Sequence, residues 1–345
     1  MQFPTSRGAS RVLGPAAFLA LTGVTGGAVL PSPADAAPRS VVSAPVDSGA
    51  NARVSFDTLS GRSGKLRARF LSAGGSFSIP VLSRLFGDSA GRQPGVYTMR
   101  DSAQVSVPAS LPSAPSQFAF ITMRPFSDKQ DGRIGNYRIG DWPFEHRTPR
   151  SAAYANPDGF IEVTPENQDT YVSDHFRLRD FLTHDQQDVW PKYLVLNERL
   201  IDKLELVMDE LRHRGHTVQR LSILSGFRTP QYNDRGVGEG GRAGASRHQY
   251  GDAADVYVDN GNGRMADLNH DGRVDSRDVR VILAAVEQVE LSHPDLVGGV
   301  GIYPGNSVHG PFAHIDTRGD RARWVVSGHK KSKRHRVVHH KKTSR

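Results

Sequence analysis

The chain has 345 residues, 37% of them hydrophobic and 23% charged, a globular composition with length for roughly two domains. Its formal charge is +8, but the eight Lys and Arg of 327–345 account for that excess, which therefore describes a tail and not the domains. There is no cysteine, so disulfides and thiolate metal sites are excluded and any metal must be held by His and carboxylates.

Residues 1–36 read as an export signal. Arg7 and Arg11 precede an uncharged, small-residue-rich run from Val12 to Leu30, and Ala34-Asp35-Ala36 is an Ala-x-Ala cleavage site. Cleavage leaves no stable membrane span and sends the mature protein to the periplasm, the extracellular space or the cell wall. Residues 37–51 have the small, Ser- and Pro-containing character of a linker.

Residues 52–150 carry short alternating runs at 53–59, 65–70, 76–82, 95–99 and 118–123, punctuated by Gly, Ser, Asp and Pro. That pattern predicts an all-β, sandwich-like domain. The segment Gly132 to Pro143, with Tyr137 and Trp142, reads as a hairpin or extended connector, its aromatics either packed or exposed to wall glycans. The polar stretch Glu145 to Asn156 suggests a domain boundary near 150.

Helical spacing begins beyond it. A short helix is predicted at 173–182. Leu196, Leu200, Leu204, Val207, Met208 and Leu211 then recur at three- and four-residue intervals, the mark of an amphipathic helix that stops at Gly215. Val218 to Ser225 reads as a strand delivering Gly226-Phe227-Arg228, and 230–245 as a Gly- and Arg-rich loop.

The chemistry gathers in Ser246 to Asp255 and, some sixty residues on, His314-Ile315-Asp316. His248 and Asp255 stand seven apart with small residues between them. A second histidine from a distant segment, His314, completes a set of three donors, the number that a catalytic zinc site uses while keeping one position open. Asp316 shares a strand face with His314 and is better placed to orient it than to bind metal.

The residues Ser246-x-His248-x-x-Gly251-x-Ala253-x-Asp255 with His314-x-Asp316 resemble the zinc D-Ala-D-Ala carboxypeptidase and murein endopeptidase family, which includes vancomycin-resistance dipeptidases and shares its fold with hedgehog domains. Ser225 to Asn233 and Gly299 to Pro304 also match, so the likeness spans about Val172 to Trp324. It implies an α+β fold, a small domain over 151–326 with a central antiparallel sheet and flanking helices. It implies zinc on His248, Asp255 and His314, and Arg228 as the group that stabilises an oxyanion or grips a substrate carboxylate. Where several members carry a proton acceptor before the last ligand, this chain has Pro311 and Phe312. His309 is the nearest titratable substitute; Asp252, Asp316 or solvent are the alternatives.

Asp267 to Asp278 fits a calcium loop. Asp267, Asn269, Asp271, Asp275 and Asp278 supply side-chain oxygens, Arg273 a carbonyl, and Gly272 the sharp turn. The competing reading is an Asp-Gly turn capping the helix that follows. The tail 327–345 is expected to be disordered and attracted to anionic wall polymers.

Together these features predict an exported zinc metallopeptidase acting on D-amino-acid-containing peptidoglycan peptides, with structural Ca2+. The alternatives are a non-catalytic zinc-containing wall-binding protein and a structural or signalling role. A nucleic-acid partner fits badly with export.

Overall fold

The computed structural model of the chain describes residues 59–72, 94–100, 117–238 and 241–326. The expected signal, linker and basic tail lie outside the described residues, as do the run at 76–82 and most of the run at 53–59. Among the described residues no helix is long and apolar enough to cross a membrane.

Strands β1 (Ala68–Leu71), β2 (Gly95–Arg100) and β3 (Gln117–Thr122) form a three-stranded sheet in the order β1-β3-β2, with β1 parallel to β3. Next come β4 (Arg124–Pro125), the hairpin of β5 (Arg133–Ile134) and β6 (Tyr137–Arg138), β7 (Gly159–Val163) and β8 (Lys192–Leu194). Strands β4, β7 and β8 make a second three-stranded, antiparallel sheet. Of the two readings of 132–143, the hairpin is present over 133–138, and the aromatics of the segment face inward: Tyr137 and Trp142 are buried. At 173–182 the chain makes only a 3-10 turn, Leu178–Phe181.

Helix α1 (Glu198–His213) is capped by Asn197, whose side chain accepts from the Arg199 N–H. Its stripe of Leu200, Leu204, Val207, Met208 and Leu211 is fully buried, each side chain contributing about 1.5–3 kcal/mol. Strand β9 (Arg220–Ser225) follows. Helix α2 (Pro230–Asp234), capped by Thr229, then opens the segment expected as loop. The remaining elements are β10 (Ala253–Asp259), α3 (Ser276–Ser292), β11 (Gly299–Tyr303), β12 (Phe312–Asp316) and β13 (Ala322–Val325).

Strands β9 to β13 build one sheet in the order β13-β11-β12-β10-β9, antiparallel except for the parallel edge pair β11–β13. Strand alternation divides it into two chemistries. Ala254, Val256, Val258, Val300, Ile302, Ala313 and Ile315 point one way into the main core, where α3 packs on β11 and β12 and α1 packs on α3. Asp255, His314, Asp316, Gly301, Tyr303 and Phe312 occupy the other face, as their cross-strand pairing requires. The mixed helix and sheet content is α+β.

A boundary near 150 does not divide the described residues. They belong to one compact unit, Arg53–Arg345, and Leu66, Ala68, Ala119 and Ile121 share a core cluster with α1, α3 and the large sheet. The reason is hydrogen bonding. Arg62 and Ser63 N–H groups donate to Asp202 on α1, Arg67 N–H donates to the Val172 carbonyl, and the Trp142 indole donates to the Gln249 carbonyl. The described part of the β-rich segment is laced onto the later elements and, among the described residues, forms one small mixed sheet and a hairpin; the rest of the expected sandwich lies outside the described residues.

Candidate metal centre

His248 comes from a 3-10 turn, Arg247–Tyr250, that runs directly into β10. Gly251 makes the join. Its φ of 68° is left-handed, and an added Cβ would lie 2.3 Å from the Val195 carbonyl oxygen, so no larger residue fits. Four residues later Asp255 points from β10 onto the polar face, where its direct cross-strand partner is His314 of β12.

Three donor atoms meet there. His248 Nε2 lies 3.1 Å from His314 Nδ1 and 3.2 Å from Asp255 Oδ1, and His314 Nδ1 lies 3.0 Å from Asp255 Oδ1. Tetrahedral ligands about 2.0–2.1 Å from a zinc ion stand roughly 3.3 Å from one another, so the triangle fits that ion. All three residues are buried.

The outer nitrogens are already committed. His248 Nδ1 lies 2.7 Å from the Gly226 carbonyl, to which it donates, and this leaves the Nε2 lone pair for a metal. His314 Nε2 lies 3.1 Å from Asp316 Oδ2, so Nδ1 is the nitrogen that ring turns toward the triangle. Asp316 is itself saturated, accepting from Gly299 N–H at 2.7 Å, from the Arg318 backbone and from the Arg318 guanidinium. Asp316 thus lies within hydrogen-bond distance of the His314 ring nitrogen that faces away from the triangle.

Arg228 reaches the same centre from the end of β9. It pairs with Asp255 Oδ2, the oxygen turned away from the triangle, and its Nε donates to Ser225 Oγ at 2.8 Å. A β-bulge at Leu224 shifts the β9–β10 register between Asp255 and Val256, and it sits where the strand turns toward Arg228. Nothing in the sequence pattern announced it.

The titrations follow from burial and these partners. Burial pushes His248 down to about 4, so its imidazole is neutral near pH 7. For His314 burial acts downward, yet hydrogen bonds and charge from Asp255 and Asp316 prevail and raise it. Burial also opposes ionisation of Asp255, but the His248 and Arg228 charges and the two imidazole hydrogen bonds hold its carboxylate well below the usual range. Asp316 is likewise held ionised, against burial, by His314 and Arg318.

The other proposed proton carriers are not brought to the triangle. His309 lies on the β11–β12 loop, its Nε2 2.8 Å from Asn306 Nδ2 and its Nδ1 2.8 Å from the Gly310 carbonyl. Asp252 is buried with both oxygens taken by Arg247.

Behind the centre stands a network that sequence reading missed. Lys203 of α1, fully buried, donates to the Asp316 carbonyl and to Glu290 Oε1, both at 2.8 Å. Glu290 also accepts from Gly298 N–H and pairs with Arg323. One Lys inside an apolar stripe is the only signal the sequence offered.

No family model matches the chain, and no curated protein or solved structure matches it.

The loop 267–278 folds as the turn-and-cap reading requires. Asp267 accepts from Asp271 and Gly272 N–H groups, while Asp275 caps α3 in a capping box with Asp278. Asp278 is buried, and its carboxylate accepts from Leu268, Asn269 and Asp275 N–H groups. Arg277 pairs with Asp271 and Asp275. Within the turn Asn269 Oδ1 accepts from the Asp271 N–H and Asp271 Oδ1 from the Arg273 N–H, both at 3.0 Å, so the oxygens of Asp267, Asn269 and Asp271 serve backbone donors.

Proposed function

We propose that this chain is an exported zinc metallopeptidase that hydrolyses D-amino-acid-containing peptidoglycan peptides, as a D,D-carboxypeptidase or a crosslink endopeptidase. The observation that carries the reading is the buried His248–Asp255–His314 triangle, with both imidazoles oriented by acceptors on their outer nitrogens. Zinc held there supplies Lewis acidity to a peptide carbonyl and to water. Arg228 keeps Asp255 ionised and in register, and its always-charged guanidinium lies beside the centre to receive a carboxylate or developing oxyanion. The sequence likeness to zinc D,D-peptidases supplies the substrate class.

The second reading, a zinc-containing wall-binding protein without turnover, is favoured by one observation. Asp252 and Asp316 have both carboxylate oxygens engaged, so neither offers a free base. The two are separated by incubating the protein with muropeptides, with and without zinc chelation, beside His248→Ala. Products that vanish in both controls establish the peptidase; retained wall binding without products establishes the binder.

A further inference from the structure

The polar face of the large sheet carries an aromatic pair that the centre described above does not use. In the strand register Gly301 of β11 lies between His314 of β12 and Trp324 of β13. A Cβ on Gly301 would come within 2.4 Å of the Trp324 Nε1 and Cε2 atoms, so the indole lies directly over the strand at that point. It extends across to His314, their ring centroids 5.2 Å apart. The indole N–H donates to the Tyr303 hydroxyl at 3.2 Å. Tyr303 is fixed from the other side by Phe312, stacked at 4.6 Å with 7° between the planes.

The phenol oxygen is thus one hydrogen bond from a nitrogen seated over the cross-strand neighbour of His314. An indole N–H only donates, so that bond uses a lone pair of the hydroxyl and leaves its proton to serve another acceptor. Burial raises the phenol's pKa and outweighs the lowering by the Trp324 hydrogen bond, so the proton is present near pH 7. In the sheet order, Arg228 approaches the triangle from the β9 side and Tyr303 from the β11 side. The charges of Asp255 and Arg228 both act on the phenol, which places it beside the same centre.

We propose that Tyr303 donates its hydroxyl hydrogen bond to the scissile carbonyl oxygen of the bound peptide, with Trp324 as the positioning residue that aims it. The proposal rests on the zinc-peptidase reading. Negative charge grows on that oxygen as the carbonyl becomes tetrahedral, and a donor already held by stacking and by an indole needs no reorganisation to meet it. Small Gly301 is the device that lets Trp324 cross the strand. Tyr303, and not His309, is then the neutral hydrogen-bond donor of the centre.

The test uses the full-length zinc-loaded protein and a phosphinate analogue of D-Ala-D-Ala, whose tetrahedral anionic oxygens mimic the proposed acceptor. Calorimetry gives its affinity for wild type, Tyr303→Phe, Trp324→Phe and His309→Ala, with zinc content and melting temperature measured alongside. Tyr303→Phe keeps the ring and its stacking and deletes only the hydroxyl. The expected result is a loss of roughly tenfold or more in phosphinate affinity, and of about a hundredfold in kcat on muropeptides with KM little changed. Zinc content stays at the wild-type level, Trp324→Phe shows a smaller loss in the same direction, and His309→Ala shows none. Tyr303→Phe binding within about twofold of wild type overturns the proposal and leaves the zinc-peptidase reading standing. Loss of zinc from Tyr303→Phe also overturns it, by making the residue structural. A zinc-loaded wild type that binds no phosphinate overturns that reading and the proposal together.

Discussion

Asp255 and His314 face each other across β10 and β12, and Asp255 Oδ1 stands 3.0 Å from His314 Nδ1 while Asp255 Oδ2 is paired with Arg228. One carboxylate therefore joins a strand pair, a candidate metal ligand and a cation from β9. The consequences of that junction are measurable.

Arg228→Ala removes the partner of Asp255 Oδ2 and leaves Ser225 Oγ without its donor. Zinc affinity, measured by competition with a chromophoric chelator, is expected to fall by about 10–100-fold, and turnover with it. Arg228→Lys recovers little, because an ammonium cannot span Ser225 and Asp255 as a planar fork does. Unchanged zinc affinity in Arg228→Ala would separate the arginine from the metal centre.

Asp316→Ala deletes the acceptor that fixes the His314 tautomer. The expected loss in zinc affinity is again about 10–100-fold. If Asp316 were instead a base acting on substrate, the variant would keep its zinc and lose only turnover, so metal content tells the two roles apart.

The sequence made the centre legible and hid its supports. His248, Asp255 and His314 stood out because few residue types bind metal and their spacing is unusual. The period of α1 was equally plain, since one apolar stripe meets one core. The bulge at Leu224, the Lys203–Glu290 pair and the indole over Gly301 depend on contacts between segments far apart in the chain. Strand runs before residue 150 were visible, but which strands pair, and that they are bonded to Asp202, Val172 and Gln249, is decided by tertiary hydrogen bonds that no local pattern encodes. His309 looked suitable only by proximity in sequence; its loop turns both ring nitrogens to Asn306 and Gly310.

The buried cation at Lys203 carries a structural prediction. Lys203→Ala leaves Glu290 with Arg323 and the Gly298 N–H and removes the ammonium from the Asp316 carbonyl, a loss of about 3–5 kcal/mol by urea unfolding. A cost below about 1 kcal/mol would show that the network does not hold the centre in place.

Stability of chelator-stripped protein should depend on pH in two opposite ways. His248 titrates at about 4 when folded, against about 6.5 in the unfolded chain, so the unfolded state binds more protons between these values and stability rises with pH there. His314 is raised when folded, so its contribution is complete below about 6.5 and is lost as pH climbs through its folded value. The melting temperature of stripped protein is expected to peak near pH 6.5, whereas zinc-saturated protein lacks the alkaline fall because its liganded imidazoles have no proton to lose. A monotonic rise from about pH 5 to 9 in the stripped protein would contradict the His314 assignment.

Calcium is expected to raise the melting temperature by ordering 267–278 around Asp267, Asn269 and Asp271, and Asp271→Ala to abolish the increment. Identical melting curves with calcium and with a calcium-selective chelator would leave the loop as the helix cap its hydrogen bonds describe.

Everything proposed for this protein depends on one zinc ion held by His248, Asp255 and His314. X-ray absorption at the zinc edge, on protein reconstituted and then dialysed, tests it most directly. The expected result is one zinc per chain with two imidazole nitrogens and carboxylate oxygen at about 2.0–2.2 Å, and loss of that signal in His314→Ala. Zinc retained unchanged in His314→Ala, or wild-type protein that dialyses free of metal, would contradict it.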